Sequence, residues 1–479
     1  MLGRLSISIV AFGSVALAFS GPTLSGEDVT SSAIQDPAPR QQTDIVVTML
    51  NAGSNTKVGI PDFLTGGGSP ALQAAAKAMA DVLEYDLNFE REFVVVSRAA
   101  SASIPAAATP EALPFQRWAE IGADYVLLGT VREAGDRMPV DVRMVSVKGA
   151  TAGQSAGFTY DGCAVANPRY CAHFIADDLH EKIRKVQGVA RTRLAFTSDR
   201  DATQMPGRVP GVGNQGKELY ISDYDGFNQQ RLTANRNLNL MPKWGPDPRT
   251  LAYTSYVTGF QEIYITQLDG RPPLRPAGGN SDIHNMLPAV SPDGSKVAFA
   301  STRSTNNGHW DIWVVDLVGK NFQNLTPNTP NSTESAPTWS PSGLQLAFTS
   351  DRTGSNQIWV MNADGTGARK ISAESRADRP SWSPLNYIAY TAETSAGHDI
   401  AVFDITTSVT KILTDGIGSN EGPAVAPNGR HVVFATSRWG NNQIAIVDYP
   451  DRGQIRRITQ TGANMYPSWS PSPRPSGAK

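Results

Sequence analysis

YPSWSPSP, residues 466–473, carries a phrase, P-x-W-S-P, that occurs earlier in the chain and is there followed by a strand-like run; here only a short polar tail follows. Related phrases begin at Pro242 (PKWGP), Pro288 (PAVSP), Pro337 (PTWSP), Pro380 (PSWSP), Pro423 (PAVAP) and Pro467 (PSWSP). The intervals are 46, 49, 43, 43 and 44 residues, and a period of about 40 to 50 is that of propeller blades with four strands each. One unit, PTWSPSGLQLAFTSDRTGSNQIWVMNADGTGARKIS over 337–372, shows how the four arise. A first strand ends at Ser-Pro, LQLAFTS alternates as a second and NQIWVMN as a third; ADG makes a hairpin turn and ARKIS is the fourth. The prolines flank the first strand, which a sheet tolerates.

The parts do not count out in phase. Second strands recur six times (LAF at 194, LAY at 251, VAF at 297, LAF at 346, IAY at 388, VVF at 432), and so do third strands. Six first strands exist too, but the opening unit begins at its second strand near Leu194 and the closing unit is a first strand alone. The strand around Trp469 is therefore expected to complete the blade begun near residue 192. The prediction is a six-bladed β-propeller closed by its C-terminal strand, which hides the edges that an open solenoid would leave bare.

The bulk numbers agree with a multidomain exported protein. A chain of 479 residues suggests two or three domains. Lys plus Arg number 42 against 44 Asp plus Glu, net −2, which gives no electrostatic reason to expect nucleic acid or an acidic membrane surface as partner. Residues 1–20, MLGRLSISIVAFGSVALAFS, have Arg4 as sole charge, an apolar run and small residues around Ala16 and Ala18, the pattern of a secretory signal, with an uncleaved anchor as the alternative. Residues 21–41, rich in Ser, Thr, Pro and Gln, are expected to form a flexible arm. Residues 42–188 are expected to form a mixed α/β domain: TDIVVTML a strand, PALQAAAKAMADVLEYDL a helix opened by Pro70, REFVVVSR a strand and PEALPFQRWAEIG a helix. A three-strand meander follows, and RYCAHFIADDLHEKIRKVQG closes the domain as an amphipathic helix. The propeller is expected over 189–472 and a polar tail over 473–479.

Little in the chain carries chemistry. Gly153, Ser155 and Gly157 match G-x-S-x-G, but the nucleophile elbow needs a strand passing into a helix. Here strand-like runs flank a Gly/Ala-rich turn, so the match is set aside. His173, His180, His284, His309, His398 and His431 show no metal-ligand spacing; His173 and His180, seven apart on one helix face, lack a carboxylate companion. SDYDG from Ser222 matches the opening of a calcium loop but lacks its length and closing Glu, and reads as a turn. Cys163 and Cys171, the only cysteines, suit a disulfide in an oxidising compartment better than a metal site, with two unpaired thiols as the alternative. No catalytic residue, cofactor or metal is expected.

With the first strand innermost, short and uniform first-to-second turns (SPDGSK, SPSGLQ, APNGRH) share one face with the third-to-fourth turns. The other face collects second-to-third and fourth-to-first loops, which vary; the longest runs from Asp199 to Lys217. Variable loops on a rigid ring are where binding usually resides. That face holds His284, Asn285, Met286, Leu287, Glu334, Ser335, Arg379, Glu421, Met465 and Tyr466, whose apolar members suit a protein interface or a plug for the channel mouth.

With these residues in hand, the chain resembles the TolB family, periplasmic components of the Tol-Pal system of Gram-negative envelopes. The likeness covers nearly the whole chain and is most specific in RTRLAFTSDR at the domain junction, ELYISDYDGFNQQRLT and the SPDG-x-x-[LV]-AF units. The resemblance implies a non-enzymatic periplasmic adaptor, a monomer with no cofactor. It implies docking of the outer-membrane lipoprotein Pal around His284, Glu334 and Ser335, so that the protein is peripheral to the outer membrane through Pal. It further implies contact of the arm, about residues 21–35, with TolA, and coupling between the two that supports outer-membrane integrity and invagination at division. The arm lacks a distinctive motif and the loop 201–217 is an addition. The rival comes from enzymes with related repeats. A peptidase of that kind needs roughly 200 further residues, and the chain ends eight after Pro471. A metal-dependent sugar lyase would need His284, His309 and His398 to converge at the channel mouth.

Overall fold

The computed structural model describes residues 39–40, 55–201, 216–303, 309–327, 329, 331–450 and 453–473. The leader, most of the arm, the strand expected from TDIVVTML, most of the 201–217 loop and nearly all of the tail lie outside the described residues. The N-terminal domain is a mixed six-stranded sheet backed by two long helices, with shorter ones at Arg98–Ser101 and Phe115–Glu120. From one edge, the strands are Pro39–Arg40, Ser155–Tyr160, Val140–Ser146, Tyr125–Val131, Lys57–Gly59 and Val94–Val96. The meander is antiparallel, whereas Lys57–Gly59 runs parallel to both its neighbours. Pro39 and Arg40, expected in the flexible arm, pair with Tyr160 and Thr159.

The long helix Pro70–Phe89 starts where sequence chemistry says it should: Pro70 sits in the first turn and the Ser69 hydroxyl accepts the Leu72 N–H at 3.3 Å. Leu72, Ala75, Ala76, Met79, Leu83 and Leu87 recur at helical spacing and are all buried. The second helix, Pro168–Leu179, is capped by Asn167 accepting from Tyr170 N–H at 3.3 Å. It runs on as a π-helical turn, His180–Arg184, that stops at Lys185 in the left-handed conformation. Ser155 opens an antiparallel strand after the turn at Gly153, so no nucleophile elbow forms there. Cys163 and Cys171 are bonded, Cα–Cα 5.4 Å, and tie the loop after the meander to the second helix. A closed loop of eight residues' separation confers about 2–3 kcal/mol by chain entropy. Reduction, or Cys163→Ser with Cys171→Ser, is expected to lower the unfolding free energy measured by urea denaturation by that amount.

The propeller has six blades, described from the channel outward. Blade I is Asn464–Trp469, Arg193–Ser198, Glu218–Asp223 and Gln230–Arg231, in that spatial order, so the ring is closed by the C-terminal strand. The closing register pairs Asn464 with Ser198 and Trp469 with Leu194. Blade II is Asn239–Trp244, Thr250–Ser255 and Glu262–Gln267; blade III starts at Asn285–Val290, blade IV at Glu334–Trp339, blade V at Ala377–Trp382 and blade VI at Asn420–Val425. Blade II has three strands, its fourth reduced to an isolated bridge between Ile265 and Leu274. The reason is local: Pro272 and Pro273 precede Leu274 and have no N–H to give to a ladder.

Five blades fasten their outer turn with one buried device. A residue near the start of the third strand donates its N–H to a hydroxyl fourteen or fifteen positions on: Leu219 to Thr233, Ile312 to Thr326, Ile358 to Ser372, Ile400 to Thr414 and Ile444 to Thr459, all at 2.8–3.0 Å. Each hydroxyl in turn donates to the polar residue just before that donor, Glu218, Asp311, Gln357, Asp399 or Gln443. In blade II the equivalent position is Ala277, and Glu262 takes the Gly279 N–H and the Arg275 guanidinium instead.

Helix and ring share a core. One apolar cluster runs from Leu83, Leu87 and Phe89 through Phe174 and Ile175 into Tyr220, Tyr224, Val433, Ile444 and Trp469. The N-terminal domain thus packs on the ends of blades I and VI that carry the short turns. Asn428 donates to Glu90, and Arg430 to Glu92 at 2.7 Å, from the first-to-second turn of blade VI. Arg169 pairs with Asp225 in the third-to-fourth turn of blade I.

Candidate partner-binding face

Every innermost strand repeats one backbone irregularity. The residue before the strand's proline has positive φ: Met241 57°, Leu287 57°, Ala336 49°, Arg379 55°, Gly422 61° and Tyr466 55°. Only Gly422 adopts this without cost; for the others it is doubly unusual, because the residue before proline is normally extended and a left-handed L-residue is strained by about 1–2 kcal/mol. In all six the pairing with the second strand slips here, between Leu240 and Lys243, Met286 and Ala289, Ser335 and Thr338, Asp378 and Ser381, Glu421 and Ala424, and Met465 and Ser468. These are β-bulges, which re-aim a side chain. Hydroxyls of the preceding blade hold three of them, Leu287 N–H donating to Thr254, Arg379 N–H to Thr349 and Gly422 N–H to Thr391 at 2.9–3.1 Å.

The six bulge residues and their prolines line a small open cavity of about 40 Å³ around the channel. Lys243 lines it as well. Its ammonium is pushed down to about 8, first by burial and then by repulsion from Arg379. The Arg379 guanidinium stacks 4.6 Å from the Tyr466 ring and reaches Asp378 at 3.6 Å. A second hollow, bounded by Arg379, Ser419, Glu421, Met465 and Tyr466, adjoins the first. Here Ser419 donates to Glu421 at 2.6 Å, with His398 3.7 Å from the same carboxylate, and Lys217 Nζ reaches Met465 Sδ at 3.4 Å. His284 lies on the neighbouring rim, 6.5 Å from the Trp310 ring.

Of the residues singled out from sequence, His284, Met286, Leu287, Ser335, Arg379, Glu421, Met465 and Tyr466 are half-buried on this face. Asn285 and Glu334 are not on any surface: both are 0% exposed. Asn285 donates to Glu262 of the preceding blade at 3.4 Å and accepts from Ser301 at 2.7 Å. Glu334 accepts from Thr329, Ser332, Ser350 and Arg352 at 2.8–3.3 Å. Direct contact of these two with a partner is therefore corrected to an internal role. The same position is Asn239, Asn420 and Asn464 in other blades, donating to Glu218, Asp399 and Gln443 at 2.9–3.2 Å and so stapling blade to blade. Sequence reasoning missed Met241 and Lys243, although a signal existed: Lys243 is the only charged residue at the x of P-x-[WV] in the six repeats. Among the described residues, His284, His309 and His398 do not share a metal-holding group; the single such group of His, Cys, Asp and Glu is His173 with Asp223 and Asp225, at the opposite end of the ring.

With the ring, its closure and the fused α/β domain in place, two family models match. Residues 180–473 fit the TolB beta propeller domain and residues 44–152 the TolB amino-terminal domain. The chain belongs to the TolB family. The Tol-Pal system protein TolB of Bordetella pertussis is 30% identical over 403 residues, 83% of this chain and 85% of that one. That of Desulfosudis oleivorans is 32% identical over 213 residues, where the match spans only 44% of this chain and 45% of the relative. The crystal structure of TolB from Acinetobacter baumannii superposes with a TM-score of 0.70 at 24% identity, covering 87% of this chain and 97% of that one, which shows the common TolB fold. Both family models and both of these relatives carry TolB descriptions. Among the described residues no helix of this TolB-family chain is long and apolar enough to cross a membrane.

Proposed function

We propose that this TolB-family protein is a non-enzymatic, monomeric adaptor of the Tol-Pal system in the periplasm. It binds the lipoprotein Pal on the channel-mouth face and TolA through the N-terminal arm, about residues 21–35, and supports outer-membrane integrity and invagination during division. Pal would also be its link to the outer membrane. The observation that carries this reading is the ring of bulged residues, Met241, Leu287, Ala336, Arg379, Gly422 and Tyr466, around an open mouth on the face that the N-terminal domain leaves uncovered. Strained backbone held in place by its surroundings is typical of ligand-binding positions. An aromatic ring stacked with an arginine at the centre of a half-buried patch is the composition of an interface hot spot.

The test is calorimetric titration of the leaderless protein with the soluble domain of its own organism's Pal. Saturable one-to-one binding is expected. Tyr466→Ala or Arg379→Ala should weaken it by about 2 kcal/mol or more, roughly thirtyfold, while the exposed Arg271→Ala on the short-turn side should leave it unchanged. No binding by folded wild type would overturn the reading.

A further inference from the structure

The seam between the N-terminal domain and blade I holds a cluster that neither the fold nor the binding face explains. His173 lies on the second helix; Asp223 ends the third strand of blade I, and Asp225 is in the turn after it. One ring nitrogen of His173 and one carboxylate oxygen from each aspartate lie within 4.8 Å of one another. His173 is 3% exposed. Its Nδ1 sits 2.7 Å from Asp86, and its Nε2, also buried, has no hydrogen-bond partner. An unpartnered buried polar atom of this kind is costly, and few survive in native structures without a reason.

We propose that His173, Asp223 and Asp225 bind one divalent cation of the zinc type, which braces the N-terminal domain against blade I. The donor set is one imidazole nitrogen and two carboxylates, three protein ligands with a fourth position for water, as zinc accepts; calcium prefers six to eight oxygens. Metal-bound histidine commonly carries a carboxylate on its other nitrogen, fixing tautomer and ring orientation, and Asp86 occupies that place. Asp86 is itself held by the Tyr224 hydroxyl at 2.6 Å. Asp225 is positioned by Arg169, which stacks 3.8 Å over Phe227, and by the Phe227 N–H at 3.1 Å; Asn228 donates to Asp223. Charge favours the same occupant: the three carboxylates of Asp86, Asp223 and Asp225 face the one guanidinium of Arg169, so a divalent cation brings the cluster to neutrality.

A proton on His173 is the competing occupant. Burial weighs most against it, but Asp86, Asp225 and Asp223 outweigh burial and raise the imidazole above its ordinary value. Neither segment announces a site alone: the SDYDG turn is too short for a calcium loop and His173 has no ligand spacing. The fold brings them together across 50 positions of sequence.

The experiment uses the whole leaderless chain, freed of metal with chelator and titrated with ZnCl2, with CaCl2 and MgCl2 in parallel, by calorimetry and thermal melting. Expected is uptake of one zinc per chain with a raised Tm, a much weaker response to calcium and magnesium, and at least tenfold weaker zinc binding in His173→Gln and Asp223→Asn. Asp86→Asn should weaken it roughly 10–100-fold. Absence of stoichiometric uptake by folded wild type overturns the proposal, as does uptake unchanged in His173→Gln and Asp223→Asn, which would place the metal elsewhere. Preference for calcium overturns it too. Should the variants fail to fold, Co2+ added to wild type decides: visible absorption of a four-coordinate ion with nitrogen and oxygen ligands, abolished by zinc, supports the site, and its absence overturns it.

Discussion

Glu90→Ala should lower the unfolding free energy by about 3–5 kcal/mol, the cost of removing one member of a buried charge network. Glu90 follows the long helix and is 2% exposed. Its carboxylate accepts two contacts from Asn428 Nδ2 at 3.1 Å, lies 3.1 Å from His431 Nε2, and is 3.5 Å from Arg430. His431 is equally buried and holds Asp448 on Nδ1 at 2.8 Å, while Arg456 pairs with Asp448 and stacks 4.1 Å over Phe89. Alanine would leave His431, Asn428 and Arg430 facing a void between domain and ring. Chemical denaturation of Glu90→Ala and Glu90→Gln measures the effect, with Gln losing less because it keeps shape and one acceptor.

The same network sets a pH signature. Burial is the strongest influence on Glu90 and favours the neutral acid, but His431, His180 and Arg430 outweigh it and its pKa is lowered. Asp448, where burial is likewise overcome by His431 and Arg456, is lowered to about 2. Their contribution is therefore present above the ordinary carboxylate values of 4.5 and 3.8 and is lost as pH falls through the folded-state values. For His431 burial opposes the charge most, yet Glu90 and Asp448 raise the pKa above 6.5. Its contribution is complete below 6.5 and is lost as pH rises through the folded value. Wild type should be most stable between about pH 4.5 and 6.5, falling on both sides. In Glu90→Gln the alkaline fall should shrink, because the charge that raises His431 is gone. An alkaline limb identical to wild type would show that Glu90 does not hold the proton on His431.

The architecture was legible because it is written in spacing. A proline phrase at intervals of 43 to 49 residues, with six copies of three strands out of phase, is enough to call for a closed six-membered ring. What resisted reading lies between units, not within them. Asn285 and Glu334 look like loop residues because they are polar and follow loops of variable length, yet each is buried in hydrogen bonds, Asn285 to a blade 23 positions back. Only comparison with Asn239, Asn420 and Asn464 could have shown an internal repeat. The bulges were invisible for a different reason: a residue before proline is expected to be extended, and nothing local to Arg379 or Tyr466 signals the left-handed turn that aims them at the channel. His173 and the Asp223–Asp225 turn are a third case, joined only by the packing of helix on blade.

Trp469→Ala should cost about 3–5 kcal/mol, and deletion of residues 464–479 should abolish the folded monomer altogether. Trp469 is 6% exposed, stacks near His431 at 6.2 Å, and donates its indole N–H to Thr192 at 2.7 Å, at the point where the N-terminal domain passes into the ring. The strand around it joins three blades at once: Asn464 donates to Gln443 of blade VI, the Arg193 N–H donates to the Ser470 hydroxyl while the Ser470 N–H donates to the Arg193 carbonyl within blade I, and Ser468 accepts from Trp244 N–H of blade II at 3.1 Å. A point change removes packing and one hydrogen bond; the deletion removes the innermost strand of a blade and bares the full edge of Arg193–Ser198. Such an edge pairs with whatever strand it meets, so the truncated chain should appear as dimers or aggregates by light scattering. A synthetic peptide of residues 462–473 added during refolding should restore monomer, since it supplies the missing strand without the covalent link. A truncated chain that melts cooperatively as a monomer near the wild-type temperature would mean that the ring is held by its neighbouring blades and not by the strand that closes it.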